Sequence, residues 1–281
     1  MAKWPVDNVA AAVIDRRGEI HFYGDESREF RLASVSKVIT AWAVLVACEE
    51  GTLSLSDAIG QDGCTVRHLL AHAGGYAFEG DTPIGKPGAR RVYSNTGYEM
   101  LATHLADRSE MPFWEYVNEA VFAPLGIVSE VQSGSSAKDA RLDIVNLSLF
   151  VAEMRRPRLL ARDTFVDAVT AQYPELDGIV PGIGRFDPAP WGLGPEIRGG
   201  KHPHWTSPHH SAVTYGHFGG SGTFVCITER DMGQTTEDLE IMINIGLMEF
   251  EAIYATDRLP VPQVRVGEIA RSSFLSPTKP T

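Results

Sequence analysis

Residues 34–51 read SVSKVITAWAVLVACEEG, and this stretch decides the fold. From Val38 to Cys48 the sequence is apolar apart from Thr40, and Gly51 is a plausible stop, so the pattern predicts one helix from Ser34 to about Glu50. The run is too short to span a bilayer and suits a buried helix. Ser34 then falls at or near a helix N-terminus, where free backbone N–H groups point outward. Ser34-Val35-Ser36-Lys37 is a Ser-x-x-Lys tetrapeptide, and three residues make nearly one helical turn, so both ends project from one face. A serine hydroxyl is a poor nucleophile until something takes its proton. A neighbouring lysine takes it when its amine is held neutral, or lowers the cost of a nearby base being anionic. Ser36 is a rival hydroxyl, but it faces elsewhere on the helix. Alone, the tetrapeptide is a weak signal that arises by chance in many proteins, and a helix N-cap at Ser34 is the plainer account.

Working outward, Val6 to Tyr23 reads as a strand pair around a turn at Asp15-Arg16-Arg17-Gly18. Thr65 to Ala73 reads as a short helix ended by Gly74-Gly75, and Asp81 to Gly88 as a Pro/Gly-rich loop. Helical spacing returns at Ser94–Arg108, Phe113–Phe122 and Ala140–Arg155. Asp177 to Ser211 is rich in Gly, Pro and His and reads as long irregular loops. Strand candidates follow at Ala212–Tyr215, Thr223–Thr228 and Leu239–Ile245. Strands at both ends around a helical middle predict an α/β (α+β) fold, in which N- and C-terminal strands share one antiparallel sheet flanked by helices, beside a mostly helical second lobe. The expected organisation is one catalytic domain over 1–281, with a sheet lobe at about 1–33 and 212–258, a helical lobe at about 34–211, and a flexible tail at 259–281.

Composition narrows the function. The chain has 281 residues, 43% of them hydrophobic, and a formal net charge of -11. That is enough to bury a substantial core, and the acidity argues against nucleic acid or an anionic membrane as partner. Cys48, Cys64 and Cys226 are odd in number and widely spaced, so no disulfide framework is expected. The N-terminal residues lack the apolar stretch and small-residue cleavage site of a secretory signal. A reducing, cytoplasmic setting is the expectation.

Two further elements carry chemistry. Tyr93-Ser94-Asn95 opens a helical segment. A tyrosine near an ammonium has its phenolate favoured, and could serve as base toward Ser34 and then as acid toward a leaving group. Asn95 offers a donor and an acceptor, suited to orienting Lys37 or a substrate carbonyl. An aromatic packing residue followed by an Asn cap is the plainer account of the same tripeptide. Tyr215-Gly216-His217-Phe218-Gly219-Gly220-Ser221-Gly222-Thr223 places several glycines beside a strand, where substrate can approach the backbone. A backbone N–H there and that of Ser34 could form an oxyanion hole.

Together these elements resemble the serine beta-lactamase and penicillin-binding superfamily, which carries Ser-x-x-Lys, then Ser-Asp-Asn or Tyr-x-Asn, then Lys-Thr-Gly or a variant, in that order. The Tyr-Ser-Asn form points to the branch of class C beta-lactamases, D-alanyl-D-alanine peptidases and related esterases. Thr65–His72, Tyr93–Tyr98, Phe122–Ile127, Trp191–Gly194 and His217–Thr223 also look like that branch, and the likeness covers about residues 8–228. The resemblance implies Ser34 as the acylated nucleophile, Lys37 assisting its deprotonation, Tyr93 shuttling protons, and Asn95 orienting Lys37 and binding substrate. It implies oxyanion-hole N–H groups at Ser34 and Gly220, and His217, Phe218, Gly219 and Trp191 along the substrate. The third motif departs from the pattern: His217-Phe218-Gly219 replaces both the cation and the hydroxyl that commonly hold a beta-lactam or peptide carboxylate. The implied activity is therefore hydrolysis of small esters or amides, with esters favoured. The alternatives are a beta-lactamase or D-alanyl-D-alanine carboxypeptidase, and a non-catalytic binding protein that keeps the fold. The usual closing helix could draw only on Met248–Tyr254.

No metal or organic cofactor is required by this chemistry. His202, His204, His209 and His210 crowd one loop, but no cysteine lies near and no helical spacing fixes a metal geometry, so they read as surface histidines that could line the substrate mouth. His68 and His72 are four apart and could share a helix face, with His68 packing or capping. Trp191 reads most simply as a buried aromatic. The expected partner is a small ester, amide or beta-lactam.

Overall fold

The computed structural model describes residues 8–15, 17–130 and 132–228, and the backbone of 242–248. In chain order its strands are β1 (Val9–Ile14), β2 (Ile20–Gly24), β3 (Phe30–Arg31), β4 (Arg91–Val92), β5 (Arg141–Leu142), β6 (Gly178–Val180), β7 (Gly184–Phe186), β8 (Glu196–Ile197), β9 (Tyr215–Phe218), β10 (Phe224–Thr228) and β11 (Met242–Met248). Its helices are α1 (Ser36–Glu49), α2 (Val66–Leu70), α3 (Thr96–Ser109), α4 (Phe113–Val117), α5 (Ala123–Leu125), α6 (Ile144–Arg155) and α7 (Arg162–Ala168).

The main sheet runs β2-β1-β11-β10-β9-β8, antiparallel throughout. β11 joins the two ends of the chain, with Val9 opposite Met248 on one side and Phe224 opposite Gly246 on the other. The predicted N-terminal hairpin is present, and Asp15 accepts from the backbone N–H groups of Arg17 and Glu19 in its turn. The expected tail at 259–281 and the closing-helix candidate at 249–254 lie outside the described residues.

The apolar run forms α1, buried continuously from Ser36 to Ala47. A helix apolar all round must be covered on every side. Trp42 meets Phe150 of α6 edge-on at 5.9 Å, and Ala10, Ile14, Val225 and Ile227 of the sheet belong to the same core. Burying each large apolar side chain of α1 contributes roughly 1.5–3 kcal/mol. Gly51 ends the helix at φ +81°, and its N–H reaches the carbonyl of Cys48.

The sequence-based elements need three corrections. Residues 177–211 are not loop throughout: β6 and β7 join β4 in a small sheet, and β8 edges the main one. The strand expected at Ala212–Tyr215 begins only at Tyr215, where pairing to Ile227 starts, and Val213 is left 60% exposed in a turn. His217 and Phe218 therefore lie within a strand. The helix expected over 140–155 begins at Ile144, after the short strand β5, with the Asp143 carboxylate capping it through the N–H of Asn146.

Candidate active site

Ser34 sits in a 3-10 turn, Ala33–Val35, that leads into α1. The turn is entered through Ala33 at φ +46°, a left-handed conformation that costs a non-glycine residue on the order of 1 kcal/mol. The Ser34 side chain makes no capping bond; its Oγ lies 3.4 Å from Lys37 Nζ. Ser36 is occupied elsewhere: its hydroxyl donates to the Ala33 carbonyl at 2.6 Å and accepts from the Ala140 N–H at 3.1 Å.

Lys37 is completely buried. Its Nζ donates to Asn95 Oδ1 at 2.5 Å and to the Ala137 carbonyl at 3.0 Å. Burial pulls the ammonium down to about 7, against the opposing pull of Glu99 and Glu79, which makes the neutral amine accessible near physiological pH. Nζ also stands 4.8 Å from the ring centroid of Tyr93 and 5.6 Å from that of Tyr98.

Asn95 is the backbone N-cap of α3, but its side chain does not cap. The carbonyl end takes Lys37, and Nδ2 donates to Glu79 Oε1 at 2.8 Å. Tyr93 follows β4, which Arg91 pins in place: its buried guanidinium donates to the carbonyls of Ala71, Ala189, Gln172 and Tyr173. The Tyr93 ring lies among His72 at 4.4 Å, Trp191 at 5.7 Å, His217 at 5.9 Å and Phe78 at 6.0 Å.

The turn after β9 closes onto the Ser34 turn. Thr223 Oγ1 donates to the Leu32 carbonyl at 2.6 Å and Ser221 Oγ to that of Arg31 at 3.1 Å. Gly219 packs against Leu32 and Ala33, while beside Gly220 the space is open. His217 Nδ1 lies 2.8 Å from the Phe218 carbonyl, an acceptor, so this nitrogen carries the proton. Burial and the nearby Lys37 push His217 down to about 4, so it is neutral at physiological pH. Its Nε2 is buried with no hydrogen-bond partner among the described residues.

Ser34, Lys37, Tyr93, Asn95 and His217 thus come together. Phe218 lies half-buried between this cluster and Trp205, 5.6 Å away. Trp191 is a buried support, its Nε1 donating to the Gly194 carbonyl at 2.9 Å.

Sequence reasoning missed four neighbours. The helix carrying His68 stops at Leu70, so His68 and His72 share no helical face. His68 bonds Thr65 and stacks on Tyr173, whereas His72, at φ +54°, turns inward and accepts the Ser94 N–H on Nδ1. Glu79, Glu99 and the Ala137 carbonyl come from loops and a helix turn that carry no recognisable pattern. In the histidine loop, His204 bonds a buried Glu196, and His210 lies 3.7 Å from Cys226 Sγ.

Residues 6–231 match the Beta-lactamase family, and the chain belongs to that family. A solved beta-lactamase from Mycobacterium bovis superimposes with a TM-score of 0.81 at 39% identity, over 88% of this chain and 90% of that one. A D-amino acid amidase from Ochrobactrum anthropi shares the fold alone, at 16% identity and a TM-score of 0.64, over 89% and 90% of the two chains. Penicillin-binding protein 4* of Bacillus subtilis is 28% identical over 131 residues, covering 35% of this chain and only 29% of that protein's length. The fold is that of the serine hydrolases of this family. No helix among the described residues is long and apolar enough to cross a membrane.

Proposed function

We propose that the protein hydrolyses small uncharged esters through an acyl-enzyme on Ser34. The observation that carries this reading is the fully buried Lys37 amine, 3.4 Å from Ser34 Oγ, where burial favours its neutral form. Ser34 Oγ attacks the ester carbonyl and its proton passes to the Lys37–Tyr93 pair. The backbone N–H groups of Ser34 and Gly220 hold the oxyanion. As the carbon–oxygen bond to the leaving group breaks, the same pair returns the proton to the departing alkoxide. Water then attacks the acyl-enzyme, releasing the acid and regenerating Ser34. Asn95 holds Lys37 and the substrate carbonyl side.

The preference for an uncharged substrate rests on the third motif. A neutral His217 offers no cation, and Phe218 no hydroxyl, to a substrate carboxylate. Phe78, 45% exposed, Phe218 and Trp205 present apolar ring surface instead. Amides are slower substrates of the same site, because nitrogen donates more strongly into the carbonyl and an unprotonated amide nitrogen is a far more basic leaving group than an alkoxide.

The second reading is a beta-lactamase or D-alanyl-D-alanine carboxypeptidase, favoured by the 39% identity to a beta-lactamase. A non-catalytic binding protein is a third, against which the complete Ser34, Lys37, Tyr93 and Asn95 set speaks. Intact mass after exposure to a fluorophosphonate and, separately, to a fluorescent penicillin distinguishes them, with Ser34→Ala as control. An adduct with the fluorophosphonate alone, lost in Ser34→Ala, supports the esterase. Adducts with both move the beta-lactamase or peptidase reading forward, and adducts with neither sink the catalytic reading.

A further inference from the structure

Glu99 lies in the first turn of α3, four residues after Asn95. It gathers one short segment of chain. Its Oε1 accepts from Ser135 Oγ and, at 3.4 Å, from the Ala137 N–H. Its Oε2 accepts from Ser136 Oγ at 2.9 Å and from the Ser136 N–H at 3.3 Å. Thr40 of α1 holds the other side of this segment, donating to the Ser136 carbonyl at 2.7 Å. The segment ends at the Ala137 carbonyl, which accepts from Lys37 Nζ at 3.0 Å. Three residues are thus clamped between α1 and α3 so that one carbonyl faces the lysine.

The charges around Lys37 are unequal in effect. α3 contributes Glu99 and Tyr98, the loop before β4 contributes Glu79 and His72, and Tyr93 follows that strand. The 135–138 segment contributes Lys138, and β9 contributes His217. His72 and His217 are held neutral by burial. Glu79 forms a surface ion pair with Lys138 at 3.0 Å, and the Lys138 charge opposes the pull of Glu79 on the amine. Glu99 is held by hydroxyls and amides, which orient its charge without cancelling it.

We propose that Glu99 is a positioning residue for Lys37, fixing the Ala137 carbonyl on the amine and supplying the negative charge that decides how much of the amine stays protonated. This rests on the reading of Lys37 as the proton-handling partner of Ser34. In that role a lysine without Glu99 is a weaker base that is neutral over a wider pH range. It is free to take the serine proton at lower pH, but it pulls on that proton more weakly, and its ammonium gives the proton up to the leaving group more readily.

The test is a pair of measurements on the full chain. Carbon-13 NMR of Cε-labelled lysine, assigned with Lys37→Arg, gives the Lys37 titration directly and needs no catalysis. The pH dependence of Ser34 labelling by a fluorophosphonate gives the kinetic counterpart. In Glu99→Gln the Lys37 midpoint falls by about one pH unit, a tenfold loss of proton affinity, and the acid limb of labelling moves down with it. Lys138→Gln, a half-exposed surface change, moves both in the opposite direction and shows that the titration responds to a nearby charge, while Glu99→Asp, whose shorter carboxylate reaches the 135–137 segment less well, moves the midpoint part of the way down and covers the case in which Glu99→Gln fails to fold. A Lys37 midpoint that stays put in Glu99→Gln, or in Glu99→Asp where the glutamine variant does not fold, overturns the proposal, even if the amplitude of labelling drops. A midpoint that moves as expected in a protein whose Ser34 is never labelled leaves Glu99 in place and overturns the acyl-enzyme reading instead.

Discussion

Gly219 lies so close to the turn before Ser34 that a Cβ added to it would stand 2.6 Å from the Leu32 carbonyl oxygen and 3.0 Å from the Ala33 Cβ. The Thr223 hydroxyl, itself bonded to the Leu32 carbonyl, lies closer still, so a side chain at 219 must break that bond or push two chain segments apart. Those segments carry the Ser34 N–H on one side and the Gly220 N–H on the other. Gly219→Ala is therefore expected to spoil the oxyanion hole, with fluorophosphonate labelling of Ser34 and ester turnover both slowed by about 10²-fold. Stopped-flow labelling alongside a thermal melt checks this. Slowed labelling in a protein that still melts cooperatively, at a somewhat lower temperature, is the expected pair, and normal labelling would mean that the Gly220 N–H is not used.

Lys37→Met is expected to abolish labelling and to raise stability. A buried amine with its proton affinity pulled down to about 7, against 10.5 unperturbed, binds fewer protons folded than unfolded over that window. Folding stability is thus highest above the unfolded value and is lost as pH falls toward 7. An apolar side chain of similar length escapes that loss, so the mutant gains roughly 1–4 kcal/mol at or below pH 7. The gain should shrink steadily toward pH 10. Denaturant melts at pH 6.5 and 9.5 measure it, and an equal or reversed gain at the higher pH would contradict the assignment.

The parts of this molecule that were legible in the sequence are those whose signal is local. α1 announces itself by an apolar run and Gly51, and the β1–β2 hairpin by a turn between apolar segments. Ser34 and Lys37 are one helical turn apart, so their meeting needs no knowledge of the rest of the chain. Asn95 meets Lys37 across 58 residues, and only the resemblance to a family made that pairing readable. His72, Glu99 and Ala137 were illegible for a physical reason. Each acts through a bond made by tertiary approach, and neither a backbone carbonyl nor a lone glutamate in a helix carries a pattern. β4 and β6 escaped notice because strands of two or three residues show no alternation, and Arg91 finds Gly178 far along the chain.

Glu196 makes a different kind of demand on the fold. It is fully buried in β8, with Lys201 Nζ and His204 Nε2 each 3.0 Å from one carboxylate oxygen and Trp205 Nε1 at 2.6 Å from the other. The Lys201 charge, helped by bonds from His204 and Trp205, outweighs burial and holds the carboxyl down at about 2. Glu196→Gln strands a buried lysine and should cost roughly 3–5 kcal/mol. The depressed acid contributes stability that is present above its unperturbed value of 4.5 and is lost as pH falls through about 2. The mutant's penalty should therefore be full at pH 7 and shrink below pH 4.5, as urea melts at pH 7 and pH 3 would show. A penalty independent of pH would mean that Glu196 is not the anion of this cluster.

His217→Lys asks whether the third motif sets the choice of substrate. In the native protein the imidazole is neutral, with its Nδ1 proton committed to the Phe218 carbonyl. Because its proton affinity lies near 4, imidazolium does not form between pH 8 and 5.5, and penicillin acylation should not rise over that range on its account. A lysine at 217 brings a cation to the face where a penicillin carboxylate would lie, but it also brings a like charge toward Lys37, which lowers the proton affinity of both. Overall ester turnover is thus expected to fall several-fold while the ratio of penicillin acylation to ester hydrolysis rises by at least about tenfold, the worth of one charge-assisted hydrogen bond. The ratio of second-order rate constants for the two reagents, measured at pH 7 in both proteins, is the quantity to compare. A ratio that stays the same would place the carboxylate site away from residue 217 and remove the main argument for uncharged esters.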